Sequence, residues 1–139
     1  MKHTLLPLFL ILISLLTGCA KGDVSNVEKI FSTSAAYTHA EIESAMEVAI
    51  AHFRKEFDGC TLTEIRYEES RDAAGAEWAQ TYGAKEGIVL LSSFDVDSSG
   101  GDGSLNPDST YHNWQWVLVR SNDGAWELKT WGYGGWDMQ

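Results

Sequence analysis

The sequence predicts an α+β fold: an N-terminal amphipathic helix packed on a curved four-stranded antiparallel sheet, with a second short helix after the first strand. Three observations carry this. A capped stretch from Thr38 to Phe57 has apolar residues at helical spacing. Four later segments are rich in β-branched and aromatic residues. Ser121-Asn122-Asp123-Gly124 between the last two is a strong hairpin signal. A long amphipathic helix cannot bury its stripe alone, and an antiparallel sheet with one apolar face can receive it.

The first eighteen residues stand apart from this fold. Met1-Lys2-His3-Thr4 is followed by an apolar run from Leu5 to Leu16, too short for a bilayer core that needs about 20 residues. A short basic start, such a run and small residues after it describe a secretory signal, residues 1–18. Leu16-Thr17-Gly18-Cys19 resembles the bacterial lipobox. That resemblance implies cleavage before Cys19, a lipid on its thiol, and a mature chain held on the extracytoplasmic face of the cell membrane. Residues 19–36 are then a lipidated Cys and a small, polar tether, in which Val27, Ile30 and Phe31 have the character to dock as a short turn. Residues 37–139 form a single α+β domain.

Within the domain, Thr38 and Glu41 make a capping box, with Tyr37 and Ile42 as its hydrophobic staple. Ile42, Met46, Ala49, Ile50, Phe53 and Phe57 form the apolar stripe, acids precede bases along the solvent side, and Gly59 stops the helix. The first strand runs from Cys60 to Glu68, and its apolar parity switches between Leu62 and Ile65, which implies a bulge or an edge. Arg71 to Tyr82 reads as the second helix, with Ala74, Trp78 and Tyr82 on one side. Gly87 to Val96 contains Ile88-Val89-Leu90-Leu91, apolar on both faces and therefore central. The closing strands are His112 to Arg120 and Trp126 to Tyr133, with Trp114, Trp116 and Leu118 alternating on one face.

This order resembles the cystatin-like and nuclear-transport-factor-two-like group, whose leading helix lies in the concave face of a bent sheet. The stretches Trp114–Arg120 and Gly124–Tyr133 look like that group's final hairpin. The lipobox, Phe57–Glu64 and Ser93–Gly103 together resemble an exported lipoprotein family of Gram-positive bacteria to which no activity is assigned. The resemblance spans residues 37 to 133 and implies fold and location; no catalytic motif of the wider group matches residue by residue.

Charge narrows the partners. Twenty acids against ten bases give a formal −10, and removing residues 1–18, with one Lys and no acid, makes it −11. A chain this acidic is not expected to bind nucleic acid, nor to dock on anionic headgroups by charge alone. With Cys19 lipidated, Cys60 is alone, so no intrachain disulfide forms, and its place at the start of an apolar strand points to burial.

The candidate sites are few. Asp95-x-Asp97-x-Ser99-Gly100 matches the first half of a calcium loop, and Asp102 and Asp108 are placed to complete an irregular site. Asn106 stands where a bidentate Glu belongs, and a strand precedes the loop, so it is no EF-hand. The competing reading is a hairpin loop whose Asp and Gly residues serve turn geometry. The turn reading is favoured, so no cofactor is expected, calcium being the one candidate. Tyr111 and His112 mark a possible pocket. Trp131, of opposite parity to Trp126 unless a bulge intervenes, and Trp136 are the expected exposed aromatics. His39 and His52 are expected to be solvated. G-x-S-x-G, H-E-x-x-H and paired Cys/His spacings are all missing from the sequence. The expectation is a module that binds a small molecule or an envelope protein without converting it. The alternatives are a small isomerase or hydrolase using Asp95, Tyr111 and His112, and a calcium-stabilised structural module.

Overall fold

The computed structural model of the chain describes residues 21–122 and 124–133. The signal segment, Cys19 and Trp136 lie outside the described residues. The elements are β1 (Glu28–Phe31), α1 (His39–Glu56), β2 (Cys60–Tyr67), a single 3-10 turn (Glu69–Arg71), α2 (Asp72–Thr81), β3 (Glu86–Val96), β4 (Thr110–Arg120) and β5 (Glu127–Tyr133). The sheet has five strands in the order β1-β2-β3-β4-β5, antiparallel except for the parallel β1–β2 pair. No helix among the described residues is long and apolar enough to cross a membrane.

Two features correct the expected arrangement. The sheet has five strands, not four, and the helix is not the first element. The fifth strand comes from the stretch expected to be tether. Residues 28–31 pair with Glu64–Tyr67 of β2, and Asp23 bridges Thr61. Side chains secure this edge: Lys29 forms ion pairs with Glu43 and Glu47 of α1, and Phe31 stacks on His39 at 3.8 Å between ring centroids. A four-residue strand with two charged residues carries almost no periodic signal, and its partner lies more than thirty residues away. A further feature is the placement of the helices. Gly87 directs its Cβ position at α2, and its strand-mates Val89 and Leu91 share that face with their partners Val119, Val117 and Gln115. The helices therefore cover opposite faces of the sheet.

Helix α1 begins as its sequence requires. Thr38 Oγ1 accepts from the Glu41 N–H at 3.2 Å, and Glu41 Oε1 accepts from the Thr38 N–H at 3.0 Å. Ile42, Ala45, Met46, Ala49 and Phe53 are buried against Leu62, Ile65, Tyr67, Ile88, Leu90, Phe94, Trp116 and Leu118. Each large side chain so buried contributes about 1.5–3 kcal/mol. The parity switch in β2 is a register shift between Leu62 and Glu64, which leaves Thr63 to donate its hydroxyl to Ser93 O at 3.0 Å. Eight consecutive residues of β3, Gly87 to Phe94, are buried, as a strand covered on both faces must be.

One polar node joins α1 to the sheet. Arg120 at the end of β4 bonds Glu41 of α1 and Glu86 of β3, and its guanidinium lies 4.4 Å from the Trp126 ring centroid. The Trp126 indole N–H donates to Glu41 O at 3.1 Å.

Candidate functional site

The C-terminal end of α1, the β3–β4 loop and the neighbouring strands β4 and β5 border a cleft of about 540 Å³. Its lining comes from His52 and Glu56 of α1, Phe57 and Asp58 in the following turn, Cys60 of β2, Gly101, Asp102, Ser104 and Leu105 in the β3–β4 loop, Trp114 of β4 and Trp131 of β5.

Local chemistry explains each wall. The α1–β2 turn reverses through Gly59 at φ +70°, a conformation that favours glycine. A side chain there would also meet Asp97 Oδ1 at 2.7 Å and Ser99 Oγ at 2.6 Å. The acidic loop is thus pressed against the helix end, and the Asp97 N–H donates to Gly59 O at 2.9 Å. Within the loop, Asp97 accepts from the Ser99 N–H at 2.9 Å and Asp102 from the Ser104 N–H at 3.0 Å. The Ser99 and Ser104 hydroxyls, and after them these N–H groups, hold the two carboxyls below the usual carboxylate range.

The aromatic wall depends on a second register shift, between Val117 and Leu118 of β4, opposite Lys129. Past it Trp131 pairs with Trp116, on the α1 face. The two indoles stack at 6.4 Å, and the His52 ring lies 4.2 Å from Trp131. Trp131 remains 43% exposed, so one side of its ring faces the opening. Phe57 meets Trp114 edge-on at 5.9 Å.

His52 corrects an expectation: it is half-buried, not solvated. Burial lowers its pKa, with Glu56 opposing and Lys55 assisting, so the ring is neutral at pH 7. Cys60 is buried as expected, and its thiol is pushed up to about 11 by burial, then by Asp97, Asp58 and Asp102. It is a protonated thiol, not a nucleophile. Among the described residues, two buried side-chain nitrogens lack a hydrogen-bond partner, His52 Nε2 and Trp114 Nε1, and both belong to this lining.

The expected site residues separate. Trp131 and Asp102 line the cleft. Tyr111 lies beside it, stacked on Phe94 at 5.2 Å, its hydroxyl accepting from the Asn106 N–H at 3.0 Å. His112 belongs to the opposite face, with Nδ1 3.3 Å from Ser93 Oγ. Asp95 accepts from the Thr110 hydroxyl at 2.7 Å. Asp95, Tyr111 and His112 therefore each have a different partner, and none bonds another. For calcium, no group of three or more His, Cys, Asp or Glu placed to hold a metal is found among the described residues.

Sequence reasoning missed His52, Glu56, Phe57, Asp58 and Trp114 as neighbours of one cleft. One signal was present. His52 follows the buried Ala49 by three residues and so borders the apolar stripe. Comparison with protein families, curated proteins and solved structures finds no match to this chain.

Proposed function

We propose that this chain is a lipid-anchored extracytoplasmic module that binds a small molecule in the aromatic cleft without converting it. The observation that carries the reading is the pairing of two unsatisfied buried nitrogens with one cleft. Buried polar groups in native proteins are nearly always hydrogen-bonded, and exceptions mark sites with a further role. A cavity of several hundred Å³ with aromatic walls and a few polar groups is the usual form of a small-molecule site. The neutral His52 ring accepts or donates at Nε2 according to its tautomer, and Trp114 Nε1 donates. A binding role is favoured over catalysis because the cleft's one thiol is protonated and its histidine bonds no Ser or Cys hydroxyl or thiol.

The anchor rests on Leu16-Thr17-Gly18-Cys19 behind a twelve-residue apolar run. The cone-like likeness to the nuclear-transport-factor-two-like group agrees with α1 lying over the sheet and a cleft at its open end. A ligand screen read by melting temperature tests the binding role, with Trp131→Ala as control. The expected result is a compound that stabilises the native chain and not the variant. Stabilisation of both to the same degree removes the cleft from the reading. For the anchor, Cys19→Ala is expected to leave the membrane fraction or to remain unprocessed; normal lipid labelling of that variant refutes it.

A further inference from the structure

We propose that the ligand taken by this cleft carries an aliphatic ammonium group, presented at the level of membrane lipid headgroups. The inference rests on the reading of the cleft as the binding site and adds the ligand's chemical class.

Charge is the first argument. Glu56, Asp58 and Asp102 all line the cleft, and among the described residues its lining contains no Lys or Arg. The cleft also opens at the C-terminus of α1, where the helix dipole adds partial negative charge. The Cys60 thiol beside it is raised by burial first and then by Asp97, Asp58 and Asp102. His52, held neutral, contributes no opposing charge.

Shape is the second argument. Phe57, Trp114 and Trp131 present aromatic surface in the same opening. Aromatic faces backed by carboxylates recognise ammonium groups through the ring quadrupole together with direct attraction. An anion meets three carboxylates here, whereas a neutral sugar leaves them uncompensated.

The third argument is placement. Gly22 N–H donates to Arg54 O at 3.0 Å, and Gly59 N–H donates to Lys21 O at 3.1 Å. The chain is therefore pinned at residues 21 and 22 to the end of α1, beside the cleft. Cys19 precedes Lys21 by two residues, at most about 7 Å of extended chain. A lipid on Cys19 thus brings this end of the domain down to the headgroups. The ammonium group has two sources there, a zwitterionic headgroup or a free small amine.

The test is a titration of the full, lipidated chain in detergent, read by tryptophan fluorescence and calorimetry. The probes are choline, ethanolamine, glycerophosphocholine, N-acetylglucosamine and the uncharged isostere of choline in which carbon replaces nitrogen. Choline or ethanolamine is expected to bind at least about tenfold more tightly than the isostere. The double variant Glu56→Gln/Asp58→Asn is expected to cut that preference to a few-fold, Asp102 supplying the remainder, with a cooperative melting curve as the check on folding. Glycerophosphocholine binding as tightly as choline assigns the headgroup; exclusion of glycerophosphocholine with retained choline assigns a free amine. Equal binding of choline and its isostere, or binding of the sugar alone, overturns the cationic class. In that case Trp131→Ala still decides the underlying reading, because loss of the remaining binding keeps the cleft as the site. If no probe binds, the ammonium proposal falls. Binding that survives Trp131→Ala undiminished overturns the cleft itself.

Discussion

Gly75 sits in the middle of α2, where alanine is ordinarily favoured by about 1 kcal/mol. Its φ imposes no need for glycine, so helix propensity alone says that Gly75→Ala stabilises the protein. Packing says the reverse. A Cβ on Gly75 meets Gly87 O at 2.4 Å, and one on Gly87 meets Gly75 O at 2.2 Å. Both obstacles are backbone, one in a helix and one in a central strand, so neither can swing aside as a side chain does. Relief requires α2 to rise by roughly 1 Å, a gap that forfeits a quarter to a half of each contact it opens. Ala79, Val89, Leu91, Val117 and Val119, all buried, lie on that interface. Overpacking of this kind costs about 1–3 kcal/mol. Rigid backbone obstacles at 2.4 and 2.2 Å place both sites in the upper part of that range, about 2–3 kcal/mol; less the glycine-to-alanine gain of about 1 kcal/mol, each single variant is expected to lose about 1–2 kcal/mol. Once α2 has lifted for one methyl, the second costs little, so the double variant should fall well short of additivity. Urea unfolding monitored by tryptophan fluorescence measures all three. A Gly75→Ala protein as stable as the parent, or more stable, refutes the close approach of α2 to β3.

Three other outcomes follow from features already described. Arg120→Met removes the tie between α1 and β3; because Glu41 and Glu86 stay partly exposed, the expected loss in urea is about 2 kcal/mol, and no loss would mean the node is ornamental. Burial holds His52 below its ordinary value near 6.5, so the unfolded chain binds the more protons; stability is whole above that pH and falls as pH drops from there through the folded-state value. His52→Phe should flatten melting temperature between pH 7 and 5 relative to the parent, and an unchanged slope places the titration elsewhere. Calcium against chelator should leave the melting temperature unmoved, since Asp97 and Asp102 serve Ser99 and Ser104; a shift abolished by Asp97→Asn would establish the loop as a calcium site.

Local grammar was readable in the sequence and long-range pairing was not. The capping box at Thr38, the parity switch at Leu62 and the two-faced burial of Ile88 to Leu91 are each set by neighbours within a few residues. β1 escaped because Glu28-Lys29-Ile30-Phe31 has no turn partner and depends on a parallel strand beyond α1. The side of the sheet taken by α2 depends on the absence of two Cβ atoms, at Gly75 and Gly87, which no periodicity records. For the site, Trp131 was singled out, but its face turned on a bulge opposite Lys129 that the sequence permits without requiring. His52 looked solvated on a helical wheel because the ring that covers it arrives from β5, at the far end of the chain.

The two outer strands also bear on self-association. A sheet that ends in long, flat strands offers its unpaired amides to the next molecule. Here β1 is only four residues long and carries Glu28 and Lys29, while β5 is bent by its irregularity at Lys129 and by Gly132 at φ +148°. Short, charged and kinked margins resist edge-to-edge pairing. The same irregularity that turns Trp131 inward therefore also guards the sheet against self-association.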